Sequence, residues 1–360
     1  MPQPLNKLTI KGFKSIRSLV DFELTNLNVL IGGNGAGKSN FIDFFSMMRA
    51  MTGSNFPELD SASLRAYIAK GGGSDNYLFN GPNVTKQIEF EMHFGDIGFS
   101  FKLDTTDETF LSSTNAMFPG SGELWDDSGG GTPKYHTRIL SNVSKCISSL
   151  KIYHFHDTSN LAGMRRPQTI DDNAYLRFDA SNIAPFLLYL KENDTRTYEQ
   201  IVDTIRLVAL FFGDFILKPE EIKEKVRLRW QQKNSDYPLK AYHLSDGTLR
   251  FICLTTALLK IDPSSIIIID EPELGLHPYA IEILAELIQA ASTKTQLIVS
   301  TQSPALVDCF EPEDVIVVNR EDGASTFQRL KADELSIWLE DYSLGDLWRK
   351  NIVEGSPVHE

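Results

Sequence analysis

The eight residues GGNGAGKS, Gly32 to Ser39, constrain this chain more than any other stretch. They fit the pattern G-x-x-x-x-G-K-[ST] and lie between an apolar segment, LNVLI, and a segment with apolar residues at helical spacing, NFIDFFSMMRAM. A glycine-rich turn between a strand and a helix lets backbone N–H groups wrap around phosphate groups. The alternative is a turn that binds nothing, and the flanking strand and helix make it the minor interpretation. The sequence therefore predicts a phosphate-binding loop (P-loop).

The residue types in this loop have distinct uses. Lys38 can reach the β- and γ-phosphates of a nucleotide, and the Ser39 hydroxyl can ligate Mg²⁺. The cofactors that the loop predicts are therefore ATP and Mg²⁺. The predicted ATP-binding residues are the loop and the residue after it: Gly32, Gly33, Asn34, Gly35, Ala36, Gly37, Lys38, Ser39 and Asn40.

The segment IIIIDEPELGLHP has the composition of a buried strand that ends in two acidic residues, Asp270 and Glu271. Ligands of open α/β sheets bind at the carboxyl ends of the strands. We expect Asp270 to hold Mg²⁺ through its water shell and Glu271 to polarise the attacking water, because phosphoryl transfer needs mainly positioning and charge. An acidic pair at a strand end is more often only a helix start, but beside a P-loop this becomes the minor interpretation.

Two further apolar segments end in polar side chains. LIVSTQSP places Gln302 where it would face the γ-phosphate; alternatively, Ser303 and Pro304 only begin a capped helix. KIYHFHDTSN offers His156 and Asp157 at a strand-to-loop step, either as nucleotide contacts or as an ordinary polar pair. The residues by themselves leave both alternatives open.

The stretch AYHLSDGTLRF combines a polar turn with the start of an apolar segment. The Ser245 hydroxyl can cap a helix by accepting a backbone N–H bond. Asp246 followed by Gly247 forms a tight turn whose N–H groups point outward, and such a turn at a helix N-terminus is suited to an anion. Ser245, Asp246 and Gly247 are therefore candidate anion-binding residues.

In this order along the chain, the motifs resemble those of the ABC-type ATPase heads of the RecF/SMC group, and most closely the compact, stand-alone RecF-like AAA family ATPases of bacteria. The segment from LTIKGFKSI to FIDFF resembles their first lobe, LSDGTLRF their signature, and DEPELGLHP their Walker B motif and D-loop. YSLGDLWRKNIVEGSP resembles the end of these proteins. The likeness covers nearly the whole chain and is weakest at 50–150.

The resemblance implies a mechanism and partners. In such families two heads sandwich two ATP molecules, and the signature of one head caps the γ-phosphate bound by the other. It therefore implies a homodimer on ATP binding, in which Ser245 and the Gly247 N–H group donate to the partner's ATP. It also makes His156 and Asp157 a candidate equivalent of the Q-loop.

The chain departs from the family pattern in two respects. Many heads carry a histidine in the switch loop, where Gln302 stands here. Glutamine can donate to the γ-phosphate but cannot take a proton, so we expect slow hydrolysis with Glu271 and Gln302 as the catalytic residues. No long coiled-coil arm and no nuclease domain is recognisable in the sequence. We therefore expect a separate effector, such as a nuclease, in DNA repair or anti-phage defence, with DNA bound directly or through that partner.

The expected fold is α/β, a single ABC-type P-loop ATPase head with an N-terminal antiparallel β region and a helical insertion. Residues 86–111 alternate apolar and polar, as antiparallel strands do. NIAPFLLYLKEN and EQIVDTIRLVALFFGDFIL predict helices, and SSIIIID, AIEILAELIQAA and TQLIVS predict a strand–helix–strand unit.

We expect an N-terminal lobe with the P-loop over 1–160, the helical insertion over 161–238, and a C-terminal lobe with the signature, Walker B motif and switch over 239–360. A Gly/Ser/Asp-rich loop is expected at 119–134. The likeness to a known head covers nearly the whole chain, so a single head over 1–360 is the expected organisation.

Composition narrows the function classes. The 360 residues carry a formal charge of −13, so nucleic acid must meet a local patch or arrive through a partner. Three cysteines, Cys146, Cys253 and Cys309, match no metal-ligand spacing, which indicates a reducing compartment. The sequence shows neither an apolar signal core nor a run of membrane-spanning length, so we expect a cytoplasmic protein that does not bind membranes.

Two other functions remain as alternatives. In the first, the chain is the ATP-binding subunit of a membrane transporter. In the second, it is a non-hydrolysing scaffold that binds ATP only to assemble. LSDGT in place of an LSGGQ-like signature, the helical insertion and the missing switch histidine disfavour the transporter. The acidic pair Asp270 and Glu271 disfavours the scaffold.

Overall fold

The computed structural model of the chain describes residues 4–51, 61–95, 97–106, 109–117, 145–220, 224–261 and 266–353. The loop predicted at 119–134 lies outside these residues. The contacts divide the chain into two compact units. Unit 1 consists of Met1–Ile152, Pro263–Ile268 and Thr295–Glu360, and unit 2 of Tyr153–Asp262 and Ile269–Lys294.

The strands of the described residues are β1 (Leu5–Phe13), β2 (Ile16–Glu23), β3 (Leu27–Ile31), β4 (Gln87–Phe94), β5 (Ile97–Thr106), β6 (Thr109–Met117), β7 (Leu150–Tyr153), β8 (Gln168–Thr169), β9 (Phe212–Phe215), β10 (Lys225–Val226), β11 (Arg229–Gln232), β12 (Leu239–Lys240), β13 (Ile266–Asp270), β14 (Gln296–Ser300), β15 (Val315–Glu321) and β16 (Ala324–Arg329). The α-helices are α1 (Lys38–Ala50), α2 (Ser61–Lys70), α3 (Ile183–Asn193), α4 (Thr195–Val208), α5 (Asp246–Leu259), α6 (Pro278–Ser292), α7 (Pro304–Val307), α8 (Ala332–Leu339) and α9 (Leu344–Arg349).

Unit 1 contains a five-stranded antiparallel sheet in the order β2-β1-β4-β5-β6. Along β4 every second side chain is buried, which is the period expected of a strand with one face on a core. The buried Phe90 of β4 lies opposite Ile10 of β1 and Phe101 of β5. The antiparallel strands predicted from the alternation at 86–111 are confirmed.

A six-stranded sheet, in the order β16-β15-β3-β14-β13-β7, contains the strands that precede the P-loop, the acidic pair and Gln302. Strand β3 pairs in parallel with β14 on one side and β15 on the other. All five of its residues are buried, because a central parallel strand is covered on both faces. The uninterrupted apolar run LNVLI is the sequence signal of that position.

Helix α1 packs its aromatic face into the core of unit 1. Its Phe41, Phe44 and Phe45 are inaccessible to solvent. The Phe44 ring lies edge-on to Phe13 at 5.7 Å between ring centroids and to Phe90 at 5.4 Å. Burying side chains of this size stabilises the fold by about 2–3 kcal/mol each. The helix that follows the P-loop is therefore anchored to the antiparallel sheet.

Unit 2 contains helices α3 to α6 and two small sheets, β12-β11-β9 and β10-β8. One helix prediction is wrong at its end, because α4 stops at Val208 and Phe212–Phe215 forms strand β9. The rings of Phe212 and Trp230 stack at 5.9 Å, and β9 pairs antiparallel with β11. This packing between distant segments overrides the local helical pattern.

The two units do not coincide with the N-terminal lobe, the helical insertion and the C-terminal lobe that were predicted in chain order. Residues 239–262 and 269–294, predicted in the C-terminal lobe, lie in unit 2 with the insertion. The reason is that α5 packs against both α4 and α6. The insertion itself is only partly helical, since it also contributes β8 to β11.

Within the described ranges, no helix has both the length and the apolar character that a membrane crossing requires.

Candidate nucleotide-binding site

The P-loop joins β3 to α1 in unit 1, and its glycines have steric reasons to be glycine. Gly32 and Gly37 have φ values of +152° and +120°. A Cβ on Gly32 would lie 2.2 Å from the Val318 carbonyl oxygen, and one on Gly37 would lie 2.0 Å from the Ser325 hydroxyl. A Cβ on Gly35 would meet nothing within 4 Å. The loop is therefore packed tightly at both ends and open in the middle, as a cradle for a ligand must be.

Lys38 is the first residue of α1 and only 5% exposed. Its ammonium group donates hydrogen bonds to the carbonyl oxygens of Gly32 and, at 3.2 Å, of Gly33. The first turn of α1 contains no acidic residue. A buried cation and the N–H groups of a helix N-terminus thus occupy the same loop, and both attract anions.

Three polar side chains support the loop from outside the motif. The amide of Asn40 donates to the Ser15 hydroxyl at 2.7 Å, and the hydroxyls of Ser15 and Ser325 lie 2.7 Å apart. The Ser325 hydroxyl donates at 2.5 Å to the carbonyl oxygen of Ala36. Asn40, predicted to contact ATP, is therefore bonded to this support.

Gln302 follows β14, which runs parallel to β3 and pairs Ser300 with Leu30. The carboxyl ends of parallel neighbours meet at one edge of a sheet, so Gln302 and the P-loop begin at the same edge. Gln302 is exposed, and the next residue, Ser303, caps α7 by accepting from the Leu306 N–H group at 3.3 Å. The capped helix start weighed as an alternative is therefore present beside the predicted switch residue.

Asp270 is the last residue of β13, and Glu271 follows it with a φ of +44°. A left-handed backbone at a residue other than glycine costs roughly 1–2 kcal/mol and is common at functional sites. Both carboxylates are half-buried. The turn after them is closed by the Leu274 N–H group, which donates to the Glu271 carbonyl oxygen at 3.3 Å.

The predicted Q-loop residues have separate partners in unit 2. The His156 Nε2 atom lies 2.9 Å from the main-chain carbonyl oxygen of Asp270. The Asp157 carboxylate accepts from the Ser159 N–H group at 3.0 Å, and hydrogen bonds from Ser159 lower the pKa of Asp157. The structure therefore brings His156 to the predicted magnesium ligand, whereas Asp157 closes a local turn.

The signature turn is held by a capped helix and an ion pair. The Ser245 hydroxyl accepts from the Thr248 N–H group at 3.1 Å, so it is an N-cap of α5. The Asp246 carboxylate accepts from Arg165 at 2.7 Å. Arg165 is 4% exposed and also donates to the carbonyl oxygens of Thr158, at 2.7 Å, and Ala241. Asp246, predicted to bind an anion, thus neutralises a buried cation.

Gly247 has a reason of its own to be glycine. A Cβ at this position would lie 2.2 Å from the main-chain oxygen of Gly275, in the D-loop after Glu271. The signature turn and the D-loop therefore touch backbone to backbone within unit 2.

Arg250 connects the same loops from the apolar helix α5. It is 5% exposed and donates to the carbonyl oxygens of Phe155 at 2.9 Å, His156 at 3.2 Å, and Leu274. Burial lowers the pKa of Arg250, and the nearby Asp246 carboxylate opposes that shift. One guanidinium thus holds both the Q-loop candidate and the D-loop.

Sequence reasoning missed these supporting residues. Ser325 and Arg165 belong to no motif, so their sequence context offers no signal, and Ser15 lies in the segment LTIKGFKSI, which resembles the family but does not mark this serine as a support of the P-loop. Arg250 has a weak sequence signal, because it interrupts the otherwise apolar run from Leu249 to Leu254 near the start of α5. A buried cation in such a run must have acceptors.

Residues 27–308, more than half of the chain, match the family described as "AAA domain, putative AbiEii toxin, Type IV TA system". The chain belongs to this family. The match begins at β3 and includes the P-loop, the signature turn and the acidic pair.

Two curated relatives are similar to this family member. The Septu protein PtuA of Bacillus mycoides (strain KBAB4) is 24% identical over 324 residues, which cover 83% of this chain and 38% of that protein. The OLD nuclease of Thermus scotoductus (strain ATCC 700910 / SA-01) is 24% identical over 360 residues, covering 88% of this chain and 63% of that protein. The chain thus spans less than two thirds of the length of either relative.

Solved structures show the fold. An Smc head bound to the C-winged helix domain of ScpA superposes with a TM-score of 0.64 at 18% identity, covering 93% of this chain and 99% of that one. A Pyrococcus furiosus Smc head with an extended coiled coil, bound to the C-terminal domain of ScpA, gives 0.56 at 18% identity, covering 95% and 99%. The AAA family chain therefore has the fold of an SMC/RecF-like ABC-type ATPase head, as the motif resemblance predicted.

Proposed function

We propose that this AAA family protein binds ATP with Mg²⁺ at its P-loop, hydrolyses it slowly, and forms a homodimer around the nucleotide. The observation that carries the proposal is Lys38, a buried cation bonded to the P-loop carbonyls at the N-terminus of α1. The P-loop is open at Gly35 and tightly packed at Gly32 and Gly37, and this shape suits the consecutive phosphate groups of a nucleotide.

Each residue has a proposed part in the reaction. Lys38 and the N–H groups of the loop hold the phosphates, and Ser39 and Asp270 are the residues assigned to Mg²⁺. Bound Mg²⁺–ATP supplies the transferable phosphoryl group with part of its charge neutralised. Glu271 orients the attacking water, and Gln302 donates to the γ-phosphate without accepting a proton. The lack of a base at Gln302 is the reason for slow turnover.

The signature has a proposed part in the dimer. Ser245 is exposed and Gly247 is half-buried, so both can face a second molecule. Asp246 is anchored to Arg165 and positions the turn. Closure around ATP then controls a separate effector in DNA repair or anti-phage defence. A nuclease is the first candidate for that effector because one relative is named a nuclease. DNA binds directly or through the effector, and we propose a cytoplasmic location.

Matched lysine variants test the nucleotide site. ATP affinity, hydrolysis and light scattering are measured for wild-type protein, Lys38→Ala and the control Lys11→Ala, an exposed lysine of β1. We expect Lys38→Ala to lose ATP binding while its thermal unfolding stays cooperative, and Lys11→Ala to behave as wild type. Unchanged ATP affinity in Lys38→Ala would show that the site lies elsewhere.

Glu271→Gln tests hydrolysis and assembly. The variant keeps the shape of the side chain and removes its charge, so ATP still binds, hydrolysis nearly stops and the dimer accumulates. Wild-type turnover in Glu271→Gln would move the catalytic part to another residue. ATP binding and dimerisation without hydrolysis in the wild-type protein would support the scaffold instead.

A further inference from the structure

Two histidines in the segment that follows β7 come close to the Asp270 carboxylate. One donor atom from each of His154, His156 and Asp270 lies within 4.8 Å of the other two. His154 and Asp270 are half-buried and His156 is exposed, so solvent ions reach the group. All three residues belong to unit 2, where one compact set of contacts holds them.

A hydrogen bond determines which nitrogen of the His156 ring carries the hydrogen. Its Nε2 atom lies 2.9 Å from the main-chain carbonyl oxygen of Asp270. A carbonyl oxygen only accepts, so Nε2 carries the hydrogen, and the neutral ring then has its lone pair on Nδ1. Histidines that bind metals are commonly oriented in this way, with the second ring nitrogen donating to a carbonyl.

The main chain around the histidines is also held in place. Arg250 donates to the carbonyl oxygens of Phe155, at 2.9 Å, and His156, at 3.2 Å. Phe155 itself is 2% exposed. The main-chain N–H group of His154 donates to the carbonyl oxygen of Phe178 at 2.9 Å. The two imidazoles therefore project from a segment whose main chain is held by hydrogen bonds.

The donor set selects the kind of ion. Mg²⁺ is bound through oxygen ligands, whereas imidazole nitrogens suit Zn²⁺ and its neighbours among the first-row transition metals. Two histidines and one carboxylate with an open fourth position is a known ligand set for Zn²⁺. With ligand bonds of about 2.1 Å, tetrahedral donors lie about 3.4 Å apart, so rotation of the side chains must shorten the donor separations by up to about 1.4 Å.

We propose that His154, His156 and Asp270 bind a divalent transition-metal ion, best matched by Zn²⁺, in the absence of nucleotide. The binding itself does not depend on the proposed function. Its consequence does, because that function assigns Asp270 to Mg²⁺. A transition-metal ion on the two histidines then competes for the same carboxylate and lowers ATP hydrolysis.

Calorimetry on the untagged, full-length protein tests the site with ZnCl₂ and no nucleotide. We expect one Zn²⁺ per wild-type chain, and loss of that binding in the double variant His154→Ala/His156→Ala. The matched control is His243→Ala, which removes an exposed histidine of unit 2 whose Nδ1 lies 3.3 Å from the Lys240 carbonyl oxygen. Zn²⁺ binding that is unchanged in the double variant overturns the proposal.

A second measurement uses the wild-type protein and so does not depend on how the variant folds. X-ray absorption of the Zn²⁺-loaded protein is expected to show two imidazole ligands, and a shell without imidazole overturns the proposal. ATP affinity at the P-loop is measured on the same samples. Absence of Zn²⁺ binding in the wild-type protein, with normal ATP binding, refutes this metal site alone. Zn²⁺ binding in the wild-type protein without ATP binding refutes the proposed function and leaves the metal site standing.

Discussion

The Arg165 guanidinium donates to the Asp246 carboxylate across 2.7 Å, although Arg165 is 4% exposed and Asp246 is 66% exposed. The pair is asymmetric because the guanidinium is buried, whereas the carboxylate is largely exposed to solvent. Arg165 further donates to the main-chain oxygens of Thr158 and Ala241, so it joins the loop after β7 to the turn that precedes α5. The signature turn is therefore anchored by Arg165, a residue that belongs to none of the motifs.

Removing Arg165 is expected to cost more stability than removing the charge of Asp246. Arg165→Met leaves two main-chain oxygens and a carboxylate without their donor, at a cost of about 3 kcal/mol. Asp246→Asn keeps an acceptor in a largely solvated position and costs about 1 kcal/mol. Thermal and urea unfolding measure both, with the exposed neighbour Arg166→Met as the control. Equal losses in Arg165→Met and Arg166→Met would contradict the anchoring role.

Gly247→Ala is expected to lower stability. In an ordinary helix, alanine in place of glycine raises stability by up to about 1 kcal/mol. Here the new Cβ meets the Gly275 carbonyl oxygen at 2.2 Å, and overpacking of this kind costs about 1–3 kcal/mol. The free-energy cost of this contact therefore exceeds the gain from the higher helix propensity of alanine. A melting temperature above that of the wild type would show that the two loops separate at no cost.

Ser245→Arg separates the capping role of the serine from its proposed role in the dimer. Loss of the cap costs about 1 kcal/mol. A bulky Arg between two heads also prevents ATP-dependent dimerisation, which light scattering detects in the Glu271→Gln background. Ser343 caps α9 in the same way, accepting from the Asp346 N–H group at 3.2 Å, so Ser343→Arg is the matched control.

We expect Ser343→Arg to lose stability and still dimerise. Normal dimerisation of the Ser245→Arg protein would reduce the signature serine to a cap. Mixing Ser245→Arg with Lys38→Ala offers a further check, because one composite site then has an intact P-loop and an intact signature. Recovered hydrolysis in the mixture supports the shared site.

Stability at low pH is expected to depend on Asp194. Hydrogen bonds from Lys260, at 2.7 Å, and from Thr197 lower the pKa of Asp194. A lowered pKa in the folded state adds stability above the unfolded value, about 3.9, and that stability is lost as the pH falls through the folded value.

Melting temperatures between pH 7 and pH 2.5 test this sign. Asp194→Asn should be less stable than the wild type near neutral pH, with a difference that shrinks as the acid range is entered. The exposed Asp236→Asn serves as the control. A difference that grows toward low pH would contradict the assignment, and added salt should reduce it because the pair is largely solvated.

Much of the fold follows from local patterns. The run LNVLI and the following GGNGAGKS predict a buried strand, a loop and a helix, and the structure has them as β3, the P-loop and α1. These signals are strong because each is contained within about ten residues. The segment FFGDFIL shows the opposite case, since Phe212 pairs with a partner strand that its own neighbours do not encode.

The sequence by itself determined the motifs, the order of strands and helices around them, and the family to which the chain belongs. Backbone geometry and hydrogen bonding within short segments decide these features. Only the tertiary structure decided that Arg165 neutralises Asp246, that Gly247 touches Gly275, and that His154 and His156 meet Asp270. Those pairs lie between 28 and 116 positions apart in the chain. No local pattern specifies such contacts, because they form only when the packing of buried side chains brings the segments together.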